Sequence, residues 1–308
     1  MMFSTRAFLS LPFPTALRMK SSHSEFIPIR GTQYHIRHWG DQRAPMLFML
    51  HGWMDVSASF QFLVDALQRD WHVIAPDWRG FGLSERAASP YWFPDYLADL
   101  DAILDHYSPQ QAVNLLGHSL GANVAGIYAG VRASRISKLV MLEGFGMSVT
   151  QADEAPTRYA DWLDQVQGTP SLHSYATVGG VAARLQKNNP RLSDERAAFL
   201  ASQWAAQNEN GSWDILADPW HKLPNPNLYR VDEVMACWQA ITAPTLWIEA
   251  SDSELLRRMG SKEGARAEIA RRIAYLRNAI ILTVQDAGHM LQHDQPEIVA
   301  DAVEKFLD

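Results

Sequence analysis

The sequence predicts an α/β fold, in which a mostly parallel sheet is covered by helices on both faces. From Phe26 onward, short apolar segments of strand type alternate with segments that have the apolar spacing of helices. Such alternation is typical of parallel sheets whose strands are joined by helices. The alternation breaks between about residues 146 and 240, and it then resumes. This break predicts an insertion between two strands of the sheet.

The predicted strands are short runs rich in apolar residues and bounded by turn residues. Met46–Leu50 is the clearest, because it is apolar throughout and ends abruptly at His51-Gly52, as expected for a buried strand. In chain order, the predicted strands are 26–29, 34–39, 46–50, 71–75, 112–116, 136–142, 244–248 and 280–284.

The predicted helices carry apolar residues three and four positions apart, which places those residues on one face. In the segment 59–68, for example, Phe60, Leu63, Val64 and Leu67 share a face. In chain order, the predicted helices are 59–68, 96–107, 121–129, 158–167, 194–207, 262–277 and 296–307.

These elements divide the chain into a core domain of residues 25–145 and 241–308 and a helical cap insertion of residues 146–240. Residues 1–24 contain three basic residues, no acidic residue and an apolar part interrupted by two prolines. They predict a flexible N-terminal extension. A transit-like targeting segment and a true translation start at Met19 are the alternatives.

Composition excludes several classes of function. Hydrophobic residues make up 47% of the 308 residues and charged residues 20%, as in ordinary folded proteins, and the net charge of −7 disfavours nucleic-acid binding. Cys237 is the only cysteine, which excludes an intrachain disulfide and cysteine-pair zinc sites and fits a cytoplasmic location. No apolar run approaches the roughly 18 residues of a membrane span. His35 and His38 are three apart on a predicted strand and therefore point to opposite faces, so we expect no metal there.

The strongest functional signal is the motif Gly117-His118-Ser119-Leu120-Gly121, which follows a predicted strand and opens a predicted helix. This is the context of a nucleophile elbow, where a sharp turn projects the serine hydroxyl from the edge of the sheet. Glycines two positions before and after the serine leave room for that turn. We therefore predict that Ser119 is a catalytic nucleophile.

A serine hydroxyl needs a base to act as a nucleophile at neutral pH. His289 follows the last predicted strand and precedes the last helix, which fits the chain order serine, acid, histidine. His293 lies four residues later and is the rival. We prefer His289 because His293 is closer to the final helix.

Two carboxylates qualify as the acid that orients this histidine. Asp252 follows the predicted strand 244–248, whereas Glu143 directly follows the predicted strand 136–142. A carboxylate at either strand end would reach the same imidazole and stabilise its charged form. We prefer Asp252, although it is equally suited to capping a helix, and keep Glu143 as the alternative.

An oxyanion hole requires two backbone N–H groups directed at the developing negative charge. Leu120 supplies one as the residue after the nucleophile. Trp53, in the segment His51-Gly52-Trp53 at the end of an early strand, supplies the other. The turn 77–82 is expected to shape the floor of the pocket.

In its motifs and their order, the chain resembles the α/β-hydrolase superfamily, and most closely its serine-hydrolase-like members with a helical cap. Leu50-His51-Gly52-Trp53 and Glu143-Gly144 match features of those members, and Asn210-Gly211-Ser212-Trp213 and Asp218-Pro219 resemble parts of their cap. The four motifs that carry the resemblance are His51-Gly52-Trp53-Met54-Asp55, the run from Asp77 to Ser84, the serine motif at 117–121 and Gly288-His289.

The resemblance implies an eight-stranded, mostly parallel sheet with a helical cap, and esterase-like hydrolysis without a cofactor. Serine at the elbow differs from the aspartate of haloalkane dehalogenases and epoxide hydrolases, so those activities are not expected. The match at Glu143-Gly144 favours Glu143 as the acid. Ala250, where many relatives have glycine, leaves the choice between Glu143 and Asp252 open.

We therefore expect a serine hydrolase that cleaves a carboxylic ester, or a similar acyl bond, of a small, largely apolar substrate through an acyl-enzyme on Ser119. Carbon–carbon bond hydrolysis, perhydrolysis and a non-catalytic ligand-binding role are the alternatives. The sequence predicts no cofactor, metal or nucleic-acid partner and leaves the oligomeric state undefined. Tryptophans of the insertion either wall the substrate pocket or form the insertion's own core: Trp162, Trp204, Trp213, Trp220 and Trp238.

Overall fold

A computed structural model of the chain describes residues 19–87, 90–254 and 261–308. The first 18 residues of the predicted N-terminal extension therefore lie outside the described residues. The strands are β1 (Ser22–Ile29), β2 (Thr32–Trp39), β3 (Met46–Leu50), β4 (His72–Pro76), β5 (Val113–His118), β6 (Ile136–Leu142), β7 (Ala205–Gln207), β8 (Trp213–Ile215), β9 (Thr245–Ala250) and β10 (Ala279–Val284).

Helices connect most of these strands. They are α1 (Gln61–Ala66), α2 (Phe93–Tyr107), α3 (Leu120–Val131), α4 (Ala155–Val166), α5 (Val178–Asn188), α6 (Asp194–Trp204), α7 (Val231–Gln239), α8 (Lys262–Ile273), α9 (Leu291–Asp294) and α10 (Pro296–Leu307). Short 3₁₀ helices occupy Ser57–Phe60, Ala133–Arg135, Ala152–Glu154 and Pro219–Lys222.

Eight strands form one sheet in the order β1-β2-β4-β3-β5-β6-β9-β10. The two neighbours of β2 in this sheet pair with it in antiparallel orientation, and all the remaining pairs are parallel. The predicted fold class, a mostly parallel eight-stranded sheet, is therefore confirmed. The carboxyl ends of the central parallel strands meet at one edge, where open α/β sheets bind ligands.

Helices cover both faces of the sheet, as predicted. On one face, α2, α3, α7 and α8 contribute residues such as Ile103 and Val124 to a large apolar cluster. On the other face, α1 and α10 contribute residues such as Leu63 and Val303 to a second cluster. Burying the sheet between two apolar layers explains why its central strands are apolar throughout.

The predicted insertion, residues 146–240, lies between β6 and β9 and is called the insertion below. Within it, α5 packs against α6, and β7 pairs with β8 in a small antiparallel sheet. α4 has no buried residue, whereas α7 contributes Val234, Met235 and Trp238 to the larger core cluster. The insertion thus combines a helix that is packed on the core with one that is not.

The element boundaries differ from the predictions in two informative places. β1 begins at Ser22 rather than at residue 26, because its polar outer residues pair with β2 as an edge strand. The helix predicted over 194–207 ends at Trp204, since Ala205–Gln207 forms β7 by pairing with β8. In the described ranges, no helix is long and apolar enough to cross a membrane.

Candidate active site

Ser119 lies at the sharp turn between β5 and α3. Its backbone has φ 52° and ψ −113°, a strained conformation for a residue with a side chain. A Cβ on Gly117 would come within 2.4 Å of the Gly121 carbonyl oxygen, and a Cβ on Gly121 within 2.1 Å of that of Leu50. Only glycine fits at these two positions, which accounts for the spacing of the motif.

His289 follows β10 and reaches back to the serine. Its Nε2 lies 3.0 Å from Ser119 Oγ, within hydrogen-bond distance. The rival His293 is buried elsewhere, where its Nε2 lies 2.8 Å from Ser59 Oγ and 3.0 Å from the Ser59 carbonyl oxygen. The structure therefore brings His289, and not His293, to Ser119.

Glu143 lies on the other side of His289. Its Oε2 is 3.2 Å from His289 Nδ1, and its side chain is fully buried. The residue follows β6 with φ 53°, a left-handed conformation that is uncommon for a side-chain residue. Ala250 N–H donates to Oε1 at 2.6 Å, and the Ser253 hydroxyl donates to Oε2.

Burial and these contacts act in opposite directions on the pKa of Glu143. Burial raises the pKa of its carboxyl above the ordinary value. His289 opposes that rise most strongly, followed by the Ser253 hydroxyl and the Ala250 N–H. The carboxylate is thus surrounded by donors that favour its ionised form.

Asp252, the preferred acid of the sequence analysis, does not take this place. Its backbone N–H donates to the Ala287 carbonyl at 3.0 Å, and its carboxylate accepts from Arg191 Nη2 at 2.8 Å. The side chain is 53% exposed, because the turn after β9 directs it toward Arg191. The structure therefore places Glu143, the alternative, against His289 in place of Asp252.

The two residues expected to form an oxyanion hole flank the nucleophile. Leu120 is the first residue of α3 and follows Ser119 directly. A Cβ on Gly52 would lie 3.3 Å from Ser119 Cβ, so the chain leading to Trp53 passes next to the serine. Trp53 and Leu120 also line one pocket.

His51 supports the start of this segment. It is fully buried, and burial lowers the pKa of its imidazole to about 4, so the ring is neutral. Nδ1–H donates to the Gly52 carbonyl at 2.7 Å, and Nε2 accepts from the Trp78 N–H at 2.9 Å. His51 therefore ties the segment before Trp53 to the turn after β4, in line with a structural role.

Three supports of the His289 loop were missed by the sequence analysis. His118 Nε2–H donates to the His289 carbonyl at 2.9 Å. Asp294 accepts from the Gly288 N–H at 2.8 Å and from Asn189 Nδ2 at 2.7 Å. Glu254 Oε2 lies 3.4 Å from the His289 N–H. His118 was visible within the serine motif, but no periodicity or motif marked the two carboxylates.

A pocket of about 140 Å³ lies beside the serine, where the core meets the insertion. Trp162 of α4 and Trp220 line it, together with Trp92 from the segment before α2. The other tryptophans of the insertion have different surroundings. Trp238 is buried in the core, and Trp204 donates from Nε1 to Asp55 Oδ1 at 3.0 Å. Trp162 and Trp220 thus line a pocket, whereas Trp238 packs in the large apolar cluster that includes residues of the sheet.

The histidines on β2 belong to separate clusters. His35 Nδ1 contacts Asp77 at 2.7 Å, whereas His38 contacts His72 and Glu25, each at 3.0 Å. Across the part of the chain that the structure describes, no group of three or more potential ligands is arranged to hold a metal ion.

Comparison with known proteins gives matches over most of the chain. The model of the α/β-hydrolase fold family matches residues 45–296. A serine hydrolase-like protein of Danio rerio is 26% identical over 98% of this chain and 93% of its own length. A 2-(acetamidomethylene)succinate hydrolase of Mesorhizobium japonicum is 25% identical over 86% of this chain and 88% of its own length.

Solved structures show the same fold. A thioesterase domain from the curacin biosynthetic pathway superposes with a TM-score of 0.81 at 22% identity, covering 92% of this chain and 99% of that domain. The crystal structure of an E-2-(acetamidomethylene)succinate hydrolase gives a TM-score of 0.73 at 21% identity, with 94% and 100% covered. At these identities the likeness concerns the fold.

Proposed function

The chain belongs to the α/β-hydrolase fold family, and we propose that it is a serine hydrolase of that family. The proposed reaction is cleavage of a carboxylic ester, or a similar acyl bond, of a small, largely apolar substrate. One observation carries the proposal: Ser119, His289 and Glu143 form a continuous chain of hydrogen-bond contacts. The relatives above are named as hydrolases of different substrates, which supports the reaction class without fixing the substrate.

In the first half-reaction, His289 Nε2 takes the proton of Ser119 while Oγ attacks the carbonyl carbon. The N–H groups of Trp53 and Leu120 stabilise the oxyanion of the tetrahedral intermediate. The leaving oxygen departs with the proton held on His289, and the acyl group remains on Ser119. Water, deprotonated by the same histidine, then attacks the acyl carbon. The bond from that carbon to Ser119 Oγ breaks, Oγ takes the proton back from His289, and the acid is released.

Glu143 is proposed as the acid of this triad. It accepts the Nδ1–H of His289, which leaves Nε2 free to take the serine proton and stabilises the imidazolium that forms. Ala250 N–H donates to its Oε1 and the Ser253 hydroxyl to its Oε2, so the carboxylate is held in one orientation. Asp252, paired with Arg191 at the surface, is assigned no part in the reaction.

The insertion is proposed to act as the cap over the site. Trp162 and Trp220 come from it and face the pocket beside Ser119. Its residues also close over the core through backbone hydrogen bonds, from Gly82 N–H to the Leu216 carbonyl and from Asp218 N–H to the Gly80 carbonyl, each 2.7 Å long. A cap in this position would exclude water from the reacting carbonyl.

The test is hydrolysis of p-nitrophenyl esters of increasing acyl length by the wild type and by Ser119→Ala, with fluorophosphonate labelling of both. We expect turnover and labelling by the wild type, and at least a 10³-fold loss of turnover with no labelling in the variant. Ser59→Ala is a matched control, because Ser59 also contacts a histidine but is fully buried. Wild-type protein that neither turns over an ester nor reacts with the probe would refute the proposal and favour a ligand-binding role.

A further inference from the structure

The pocket next to Leu120, the residue that follows Ser119, is lined by many aromatic side chains and several prolines. Trp53 and Leu120 link it to the nucleophile, and Trp92, Trp162 and Trp220 form much of the remaining wall. The Trp92 and Trp162 rings are 6.5 Å apart and tilted by 50°. One of these rings precedes α2 in the core and the other lies on α4 of the insertion, so the pocket is shaped by both parts.

The floor of the pocket includes His221, whose polar atoms are satisfied within the protein. Its ring is stacked between those of Phe81 and Tyr91, with centroids 3.8 and 3.6 Å away. Nε2–H donates to the Arg79 carbonyl at 3.1 Å, and Nδ1 accepts from the Tyr96 hydroxyl at 3.3 Å. His221 therefore presents the edge of an aromatic stack rather than a free hydrogen-bonding group.

Two further polar groups at the pocket are also engaged. The Tyr91 hydroxyl donates to Asp218 Oδ2 at 2.8 Å and accepts from the Ala87 N–H at 2.9 Å. The side-chain oxygen of Asn225 accepts from the Asn227 N–H at 2.9 Å. A ring in the pocket thus meets several aromatic faces, and a charged group would lose part of its hydration there without gaining a charged partner.

The pocket also lacks charge. Among the described residues that line it, none is Lys, Arg, Asp or Glu, and burial lowers the pKa of His221 to about 3, which keeps that ring neutral. The adjoining groove, which shares Pro224 with the pocket, carries three carboxylates and one guanidinium: Asp153, Glu154, Asp161 and Arg158. An anionic substituent would therefore lose hydration in the pocket and meet net negative charge beyond it.

The volume of about 140 Å³ is that of a site for a small group. An engineered apolar cavity of about 150 Å³ binds benzene. A single six-membered ring therefore fits this pocket.

We propose that this pocket binds one uncharged, monocyclic aromatic ring, and that the substrates of Ser119 are esters carrying such a ring close to the reacting carbonyl. The inference rests on the proposed hydrolase function and adds the substrate class. Trp162 sets the upper size limit. Since α4 has no buried residue, truncating Trp162 removes a pocket wall without opening the core.

The experiment compares four ethyl esters by proton release at constant pH: acetate, phenylacetate, 2-naphthylacetate and 4-carboxyphenylacetate. We expect the wild type to prefer phenylacetate over each of the other three by about 10-fold or more in kcat/KM. A difference of a single small group in an apolar pocket typically changes kcat/KM by at least this factor. Trp162→Ala should raise the ratio of naphthylacetate to phenylacetate by about 10-fold.

The matched control is Leu163→Ala, which shortens the next residue of α4 at a position that is 51% exposed and outside the pocket. It should leave all four ratios within about twofold of the wild type. The pocket assignment is refuted if Trp162→Ala leaves the naphthyl-to-phenyl ratio unchanged, or if the carboxylated ester is cleaved as efficiently as phenylacetate.

A binding measurement separates failure of the pocket from failure of the reaction. Ser119→Ala is titrated with ethyl phenylacetate and ethyl 4-carboxyphenylacetate, and binding is followed by tryptophan fluorescence. Binding of the first ester only, weakened by an added Trp162→Ala change, supports the pocket even without turnover. Esters cleaved at a labelled Ser119, with no ring preference in either assay, support the hydrolase and overturn the pocket.

Discussion

Replacing Asp55 by asparagine should change how the stability of the protein depends on pH. Asp55 lies in the segment after β3, and its side chain is buried. Oδ1 accepts from the Val56 N–H at 2.8 Å and from Trp204 Nε1 at 3.0 Å, whereas Oδ2 is buried without a hydrogen-bond partner among the described residues. Burial raises the pKa of this carboxyl from 3.8 to about 7, mainly because the ionised form loses hydration.

The sign follows from proton binding. Between pH 3.8 and about 7 the folded protein holds a proton on Asp55 that the unfolded chain has released, so the free energy of unfolding falls as the pH rises. A shift of about three pKa units corresponds to about 4 kcal/mol over the whole window. About 2–3 kcal/mol of this falls between pH 5 and pH 8.

The assay is urea unfolding of the wild type and Asp55→Asn at pH 5 and pH 8. Asparagine cannot ionise. The free energy of unfolding of the variant, relative to that of the wild type, should therefore rise by about 2–3 kcal/mol on going from pH 5 to pH 8. Comparing the variant with the wild type at each pH cancels the other titrating groups. Asp252→Asn is the matched control, because that carboxylate is exposed and should show no such gain. A gain below about 1 kcal/mol, or one of opposite sign, would contradict the reasoning.

Two further predictions concern the acid of the triad and the β2 histidines. Glu143→Gln should lower kcat by roughly 10³- to 10⁴-fold in the ester assay, whereas Asp252→Asn should change it by less than about threefold. A larger loss of kcat in Asp252→Asn than in Glu143→Gln would instead identify Asp252 as the acid. Burial, reinforced by neighbouring histidines, lowers the pKa of His38 to about 4, so stability is lost as the pH falls from 6.5 through 4. When the pH is lowered from 7 to 5, the free energy of unfolding measured in urea should therefore fall by about 2 kcal/mol less in His38→Gln than in the wild type. An equal fall in both proteins would exclude His38 as the titrating group.

The sequence was sufficient to predict the sheet because apolar runs report burial directly. Met46–Leu50 and Ile136–Leu142 have the predicted bounds, since both are central strands covered on both faces. The edge strand β1 was predicted too short because its first four residues, Ser22–Glu25, are polar and carry no apolar signal. The short strand Ala205–Gln207 was missed because its pairing depends on a partner later in the chain, which local periodicity does not record.

The candidate site was predictable to a different degree at each residue. Ser119 and His289 stand in motifs that describe local backbone shape, and the structure brings them together. The choice between Glu143 and Asp252 depends on where two loops direct their side chains. Glu143 turns inward through a positive φ, while Asp252 turns outward to Arg191. Neither direction follows from residue type or spacing.

The main-chain hydrogen bonds of Ser119 and Glu143 imply an order in which the residues of the site lose their native positions when the protein is destabilised. The Ser119 N–H donates to the Leu142 carbonyl and the Glu143 N–H to the Ile248 carbonyl, both at 2.9 Å, so each residue extends the pairing of the central sheet. Their amides should exchange with deuterium only when the sheet itself separates. His289 lies instead on a loop held largely by side chains, and smaller fluctuations release such segments. On warming or in mild denaturant, His289 should therefore leave its native position first, while Ser119 and Glu143 are still held by the intact sheet.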